Sequence, residues 1–360
     1  MFQSLIAKPL HLAQALTEIK PGIFIMNTTE HPFAQYVRIL GKGKNGSRPL
    51  TRDEAFDAFH MILADEVLPE QLGAFLMLMR VKEETPEELA GFIHAVKQTL
   101  VIPENSPEVH LDWSSYAGKR RHLPWFILST LLLAQNGINT FMHGASGHTA
   151  GRLYTKDVLT TLGIPPCTSL QEAADRIRKT GFAYLDLANL SPTLHKIIEM
   201  RPILGLRSPV HTISRMLNPF NAQYMMQGIF HPGYRPMHQE AALLLEQPYL
   251  AVIKGDGGEI ERDPDAPCLV QSVCNGKMSD EEWPAMFDKR HVKDTELDVQ
   301  RLRTVWLGED DDEYGIGAVI GTTAITLKMM GRADNAKSAE AQAKVIWEAR
   351  DKDNFGAATL

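Results

Sequence analysis

The chain has 360 residues, 44% apolar and 22% charged, which fits a folded protein of about two domains and excludes a disordered or collagen-like chain. Its 37 basic and 44 acidic residues leave a net charge of −7. That excludes a uniformly basic nucleic-acid binder but not a locally basic groove. Three cysteines, Cys167, Cys268 and Cys274, form no CxxC pair; so sparse a set fits a reduced, cytoplasmic protein, not a disulfide scaffold or a zinc site.

Residues 1–30, punctuated by Pro9 and Pro21, read as an extension without the basic start and apolar run of a signal peptide. Thr51 can cap a helix with Glu54 as its capping-box partner, and Ala55, Phe56, Phe59, Ile62 and Leu63 follow at helical spacing. Leu68-Pro69 opens a second helix carrying Leu72, Phe75, Leu76 and Met79; Thr85-Pro86 opens a third with Leu89, Phe92, Ile93 and Val96. Residues 34–101 therefore predict a compact helical unit without strands.

After Pro103 the pattern alternates. Pro124–Asn136 reads as a helix, Ile138–Met142 as a strand, Thr155–Leu162 as a helix and Phe182–Leu187 as a strand. Ser191–Tyr234 reads as helical and is rich in Pro and Arg. Tyr249–Lys254 is a buried strand ending in the turn Gly255–Gly258. Glu309–Glu313 is an exposed acidic loop, Gly315–Met330 a buried helix or strand–helix piece, and Ser338–Ala349 a terminal amphipathic helix. Such alternation predicts an α/β fold with a mainly parallel sheet beside a smaller all-α domain. The expected domains are 31–103, completed by helices within about 191–235, and an α/β domain over 104–360. The longest apolar run, Leu123–Ala134, is too short to span a membrane.

Several separated motifs carry a resemblance. Gln71–Arg80 (QLGAFLMLMR), Glu84–Phe92 (ETPEELAGF), His143-Gly144, Asp157–Ile164 (DVLTTLGI), Arg201-Pro202 and Leu217-Asn218-Pro219 follow one another as in the anthranilate phosphoribosyltransferase family (glycosyltransferase family 3), which the chain resembles from about Ala34 to Met330. The resemblance implies a nucleoside phosphorylase/phosphoribosyltransferase-like fold and a homodimer formed through the helical domain. The implied reaction joins an aromatic amine to phosphoribosyl pyrophosphate. It needs backbone amides for the diphosphate, carboxylates for Mg and donors for a charged transition state. By this resemblance Gly118, Ser129, Thr130, His143 and Gly144 mark a phosphoribosyl pyrophosphate site, Arg201 a contact to the aromatic acid, and Glu259 and Glu261 an alternative metal pair.

Departures from the family are equally informative. Where it carries Gly-Thr-Gly-Gly-Asp, this chain has the stretch Asp112–His122 (DWSSYAGKRRH), with the three consecutive cations Lys119-Arg120-Arg121. One glycine survives, and Ser, Tyr and Ala resist the positive φ that an amide cradle uses. Residues 113–156, 200–239 and 35–50 hold basic residues and no acid. This points to a cleft of one sign, with Lys119, Arg120, Arg121, Arg152, Arg201, Arg207, Arg215, Lys254 and Arg262 as candidate phosphate contacts and Trp113, Tyr116 and His122 as candidate stacking partners. The combination resembles the divergent YbiB-type branch of the family. The primary expectation is non-sequence-specific binding of single- or double-stranded nucleic acid, with no catalytic residue and no cofactor. The alternative is a transferase using phosphoribosyl pyrophosphate and Mg.

Overall fold

A computed structural model describes residues 30–147 and 149–355; the extension read over residues 1–30 falls, but for Glu30, outside them. Four helices come first: α1 (Ala34–Gly41), α2 (Arg52–Leu63), α3 (Pro69–Lys82) and α4 (Pro86–Thr99). The capping box predicted at Thr51 forms, and a second, which the sequence reading did not name, forms at Thr85. The Thr51 hydroxyl accepts the Glu54 amide while the Glu54 carboxylate accepts the Thr51 amide, and Thr85 and Glu88 repeat the arrangement on α4. Phe59, Phe75 and Phe92 interlock in the bundle core. Glu88, fully buried, also accepts the Leu50 amide at 2.8 Å and the Lys82 ammonium at 2.6 Å, so the buried charge is compensated.

The second unit runs β1 (Leu111–Ser115), α5 (Phe126–Gln135), β2 (Thr140–Gly144), α6 (Thr155–Thr161), α7 (Leu170–Thr180), β3 (Phe182–Asp186), α8 (Leu187–Leu190), α9 (Pro192–Glu199), α10 (Arg201–Leu204) and α11 (Val210–Ile213). It continues with β4 (Tyr224–Gly228), α12 (Tyr234–Leu244), β5 (Tyr249–Ile253), β6 (Cys268–Cys274), β7 (Lys277–Trp283), α13 (Gln300–Leu307), α14 (Glu313–Met329) and α15 (Ala336–Glu348). The sheet order is β3-β2-β1-β4-β5-β6-β7; the first five strands are parallel, and β6 and β7 are antiparallel. This is the expected α/β fold with a mainly parallel sheet and an all-α unit.

Some elements differ from expectation. The helical stretch read over Ser191–Tyr234 is broken by β4, whose Met225 and Met226 are buried on opposite faces; unbranched residues in a strand covered on both sides leave no alternation to read. The β6–β7 hairpin turns on Asn275-Gly276, both at positive φ, as a two-residue hairpin turn requires. The acidic loop Glu309–Glu313 is more than solvated surface. Asp310 and Asp312 pair with Arg301, and Asp312 caps α14 by accepting the Gly315 amide at 2.7 Å.

Two apolar cores cover the two faces of the sheet. One is continuous with the helical bundle and includes Phe75, Phe92, Phe141, Leu185, Val210 and Val252. The other packs Trp113, Phe126, Ile253 and Trp306 under α5, α14 and α15. No helix among the described residues is long and apolar enough to cross a membrane. The strand order reverses between β1 and β4, so the loops leaving those two strands flank the crevice where such sheets place ligands.

The α2–α4 contact depends on Gly91, where a Cβ would overlap the Arg52 carbonyl oxygen. Gly91→Ala is expected to cost about 1–3 kcal/mol through overpacking. Gly73→Ala, with no atom within 4 Å of the new methyl, is expected to be neutral or stabilising by up to about 1 kcal/mol. Urea denaturation of the two variants checks the contrast.

Candidate anion-binding cleft

The residues after β1 and β5 meet at the carboxyl end of the sheet. Gly228 and Gly255 lack the Cβ atoms that would overlap the Glu259 backbone, so the segment after β5 packs directly on the end of β4. It delivers the Glu259 carboxylate, fully buried, into the loop after β1. There Glu259 accepts the Ser115 hydroxyl at 2.8 Å, the Ala117 amide at 2.6 Å and the Gly118 amide at 2.5 Å. Two residues on, Glu261 accepts the Phe126 amide at the start of α5 at 2.9 Å and the Lys119 ammonium at 2.7 Å.

The loop therefore still converges amides on an anion, contrary to the expectation that Ser, Tyr and Ala would prevent it. Only Gly118 needs a positive φ, 68°, and the anion is the chain's own Glu259. Lys119, expected as an outward cation, is 1% exposed and ion-paired. Burial opposes its charge, yet Glu261 and Asp256 outweigh burial and raise its pKa above the ordinary lysine value. Arg262 is likewise no groove residue. It is buried against Trp283, bonds Glu340 at 2.7 Å and donates to the Pro284 carbonyl.

The other marked positions are also structural. Ser129 and Thr130 are buried in α5 and donate to the carbonyls of Val319 and Ile127, not toward the loop. His143 is buried between the Tyr116 hydroxyl at 2.7 Å and Asp112 at 3.3 Å, and Gly144 lets β2 approach the Ser115 carbonyl. Trp113 and Tyr116 are buried and His122 is stacked on Tyr314, so none of the three offers the free face expected of it.

Outside this plug lies a cleft of about 730 Å³ between α3, α11 and α12. Arg80, Arg207 and Arg215 line it together with Glu83, Glu84 and Glu240, so the cleft is not of one sign as the acid-free segments of the sequence suggested, and Arg152 and Arg201 stand close enough to repel Arg207. Burial first, then repulsion from Arg215, Arg201 and Arg152, brings the Arg207 pKa down to about 10. Among the described residues Arg207 has no carboxylate partner. Arg152 is held by the Ala117 carbonyl at 2.8 Å, Arg201 by the Thr149 hydroxyl at 2.6 Å, and Arg215 by the His211 carbonyl. His238, its pKa lowered to about 3 by burial and Arg215, is neutral below them. Arg120 and Arg121 are exposed and line a neighbouring 150 Å³ pocket with Arg152. Exposed Lys254 and Arg121 border a third, of about 600 Å³. Phe230, in the loop after β4, touches all three pockets. The sequence reading missed it because a lone Phe among helical signals looks like core.

Among the described residues no cluster of three or more His, Cys, Asp or Glu side chains is placed to hold a metal ion. Glu259 and Glu261 spend their oxygens on amides, a hydroxyl and Lys119, so in this geometry they do not fit a divalent cation bridging a diphosphate.

Residues 35–99 match the family model for the glycosyl transferase family helical bundle domain. The chain is 32% identical over 200 residues to an anthranilate phosphoribosyltransferase of Gluconobacter oxydans, covering 55% of this chain and 54% of that one. It is 26% identical over 206 residues to the Escherichia coli protein YbiB, covering 56% and 64%; both matches thus span less than two thirds of the relative. The fold is similar to that of anthranilate phosphoribosyltransferase from Saccharomyces cerevisiae solved in complex with PRPP and Mg, at TM-score 0.73 and 15% identity, covering 89% of this chain and 94% of that one. The chain belongs to the anthranilate phosphoribosyltransferase-like family, glycosyltransferase family 3. Its scaffold is that of a phosphoribosyltransferase.

Two measurements probe the closed end of the sheet. Lys119→Met strands Glu261 as a buried charge and is expected to cost about 3–5 kcal/mol in urea denaturation, most of it recovered by Lys119→Met/Glu261→Gln. Separately, His291 bonds Asp265 at 2.7 Å and Glu313 at 3.0 Å, and those bonds raise its pKa above the usual 6.5. A raised pKa in the folded state means stability that is complete below pH about 6.5 and lost as pH climbs through the folded value. His291→Ala is expected to flatten that part of the stability-versus-pH curve.

Proposed function

We propose that this protein binds nucleic acid through its basic inter-domain cleft, without strong sequence preference, on a transferase scaffold whose diphosphate cradle is closed. The observation that carries the reading is the crowding of arginines around Arg207, which itself has no carboxylate partner among the described residues, although Glu83, Glu84 and Glu240 also line the cleft. Arg152, Arg201 and Arg215 crowd Arg207 enough to lower its pKa, and a cluster of like charges is relieved by a polyanion. Arg120, Arg121 and Lys254 extend the positive rim outward. Side-chain cations on phosphates confer affinity without reading bases. The kinship with YbiB agrees with the YbiB-type resemblance of the sequence. A second copy docked through the helical unit would lengthen the groove.

A second reading has most of the kinship behind it: a transferase using phosphoribosyl pyrophosphate and Mg, with an aromatic or other amine as acceptor. The relatives named anthranilate phosphoribosyltransferase and the yeast structure with PRPP and Mg favour it. It requires Glu259 and Glu261 to leave their donors, since the amides they occupy are those the diphosphate would use.

Two experiments separate the readings. Arg120→Glu/Arg121→Glu/Lys254→Glu is expected to weaken binding of unrelated oligonucleotides by a similar factor, about 100-fold in all, and to flatten the dependence on salt. Unchanged affinity would refute the cleft as the binding surface. Calorimetry with phosphoribosyl pyrophosphate and Mg is expected to give no binding heat at millimolar ligand; saturable heat that disappears in Ser115→Ala would establish the second reading instead.

A further inference from the structure

We infer that the cleft takes its nucleic acid as a single strand, with one unpaired base stacked on the ring of Phe230. This deepens the nucleic-acid reading above and rests on it.

Phe230 lies two residues beyond the end of β4 at Gly228, at the point where the strand order reverses. It is 49% exposed, whereas Trp113 and Tyr116, the aromatics within and just after β1, are 0% and 1% exposed. Leaving half a phenyl ring in water forgoes about 1 kcal/mol of burial. Single exposed apolar residues are common on protein surfaces, but few stand where three pockets meet. Phe230 borders the 730 Å³ cleft, the 600 Å³ pocket and the 150 Å³ pocket, so it forms the ridge between them.

Its surroundings fit a nucleotide. Among the described residues its one ring neighbour is His231, T-shaped to it at 5.0 Å and 88°, so at least one face of the Phe230 ring is clear of other rings. The small pocket beside it is walled by Arg120, Arg121 and Arg152, with Asp256 the single acid. A phosphate placed there puts the adjoining base within reach of the ring. Gly257 and Gly258 pass below, and Gly258 comes close to the Phe230 backbone, so backbone without side chains floors the approach. A duplex keeps its base faces stacked inside and offers this ridge only its backbone; an unpaired strand offers base faces as well. Base–aromatic stacking is worth about 1–3 kcal/mol per base and tolerates any base, in keeping with a binder that does not read sequence.

The test compares a 12-nucleotide single strand carrying 2-aminopurine with the duplex of the same sequence, by anisotropy and by 2-aminopurine fluorescence. Wild type is expected to prefer the single strand and to quench the probe. Phe230→Ala is expected to weaken single-strand binding about 10-fold, to abolish quenching and to move duplex affinity by less than about twofold. Phe230→Trp is expected to restore both single-strand affinity and quenching. Equal losses for strand and duplex, or an unchanged single-strand affinity in Phe230→Ala, would overturn the stacking assignment while leaving the cationic cleft intact. If wild type binds neither form, the nucleic-acid reading itself fails, and this inference with it.

Discussion

The carboxylate of Glu259 and the loop that receives it set the character of this end of the molecule. Hydrogen bonds to a charged group contribute roughly 1.5–3 kcal/mol each, and Glu259 collects three, from Ser115, Ala117 and Gly118. A diphosphate entering the loop could replace Glu259 on the amides, but the exchange would gain little there and would leave a buried carboxylate looking for donors. Lys119 is directed to Glu261 instead, which it bonds at 2.7 Å. The architecture is that of the transferases, and the amides that converge in this loop are taken by the chain's own Glu259.

The same loop also orients the cleft. The amides of Ala117 and Gly118 point inward to Glu259, and their carbonyls point outward to Arg152. The peptide joining Ala117 to Gly118 is thus polarised between a buried anion and a half-buried cation, each favouring the orientation that suits the other. Gly118, at φ 68°, permits the turn that makes this possible. Pulling Glu259 out would weaken the hold on Arg152, so plug and rim are one electrostatic unit.

Sequence patterning revealed the helical unit well, because its capping boxes and apolar stripes are local signals. Thr51 with Glu54 and Thr85 with Glu88 act through residues three apart. Strands β1 and β4 were harder to see. Asp112, Ser114 and Ser115 are polar yet buried, and Met225-Met226 shows no alternation. The site was legible in outline, as segments free of acid, and misleading in detail. Lys119, Arg120 and Arg121 look alike in sequence, yet one faces inward to a carboxylate 142 positions away and two face solvent. Partners so distant leave no local signature, which is why Lys119 and Arg262 read as groove residues and Phe230 did not.

Closing the cradle also changes the shape of ligand the fold can accept. An enzyme pocket for a small molecule needs depth, with donors converging on a few atoms. Here the deepest donors are spent, and what remains is three neighbouring pockets that share Phe230 and carry acids as well as the cations Arg120, Arg121, Arg152, Arg207 and Lys254. On the proposed reading a chain of phosphates would meet Arg207, Arg152, Arg120 and Lys254 in turn, releasing counterions at each. Of the acids behind the net charge of −7, Asp310 and Asp312 are committed to Arg301 and the α14 cap and those beyond about 8–10 Å are screened, whereas Glu83, Glu84 and Glu240 stand in the cleft lining and oppose a polyanion there. On that reading the filled interior and the cations of the rim favour an extended ligand over a compact one.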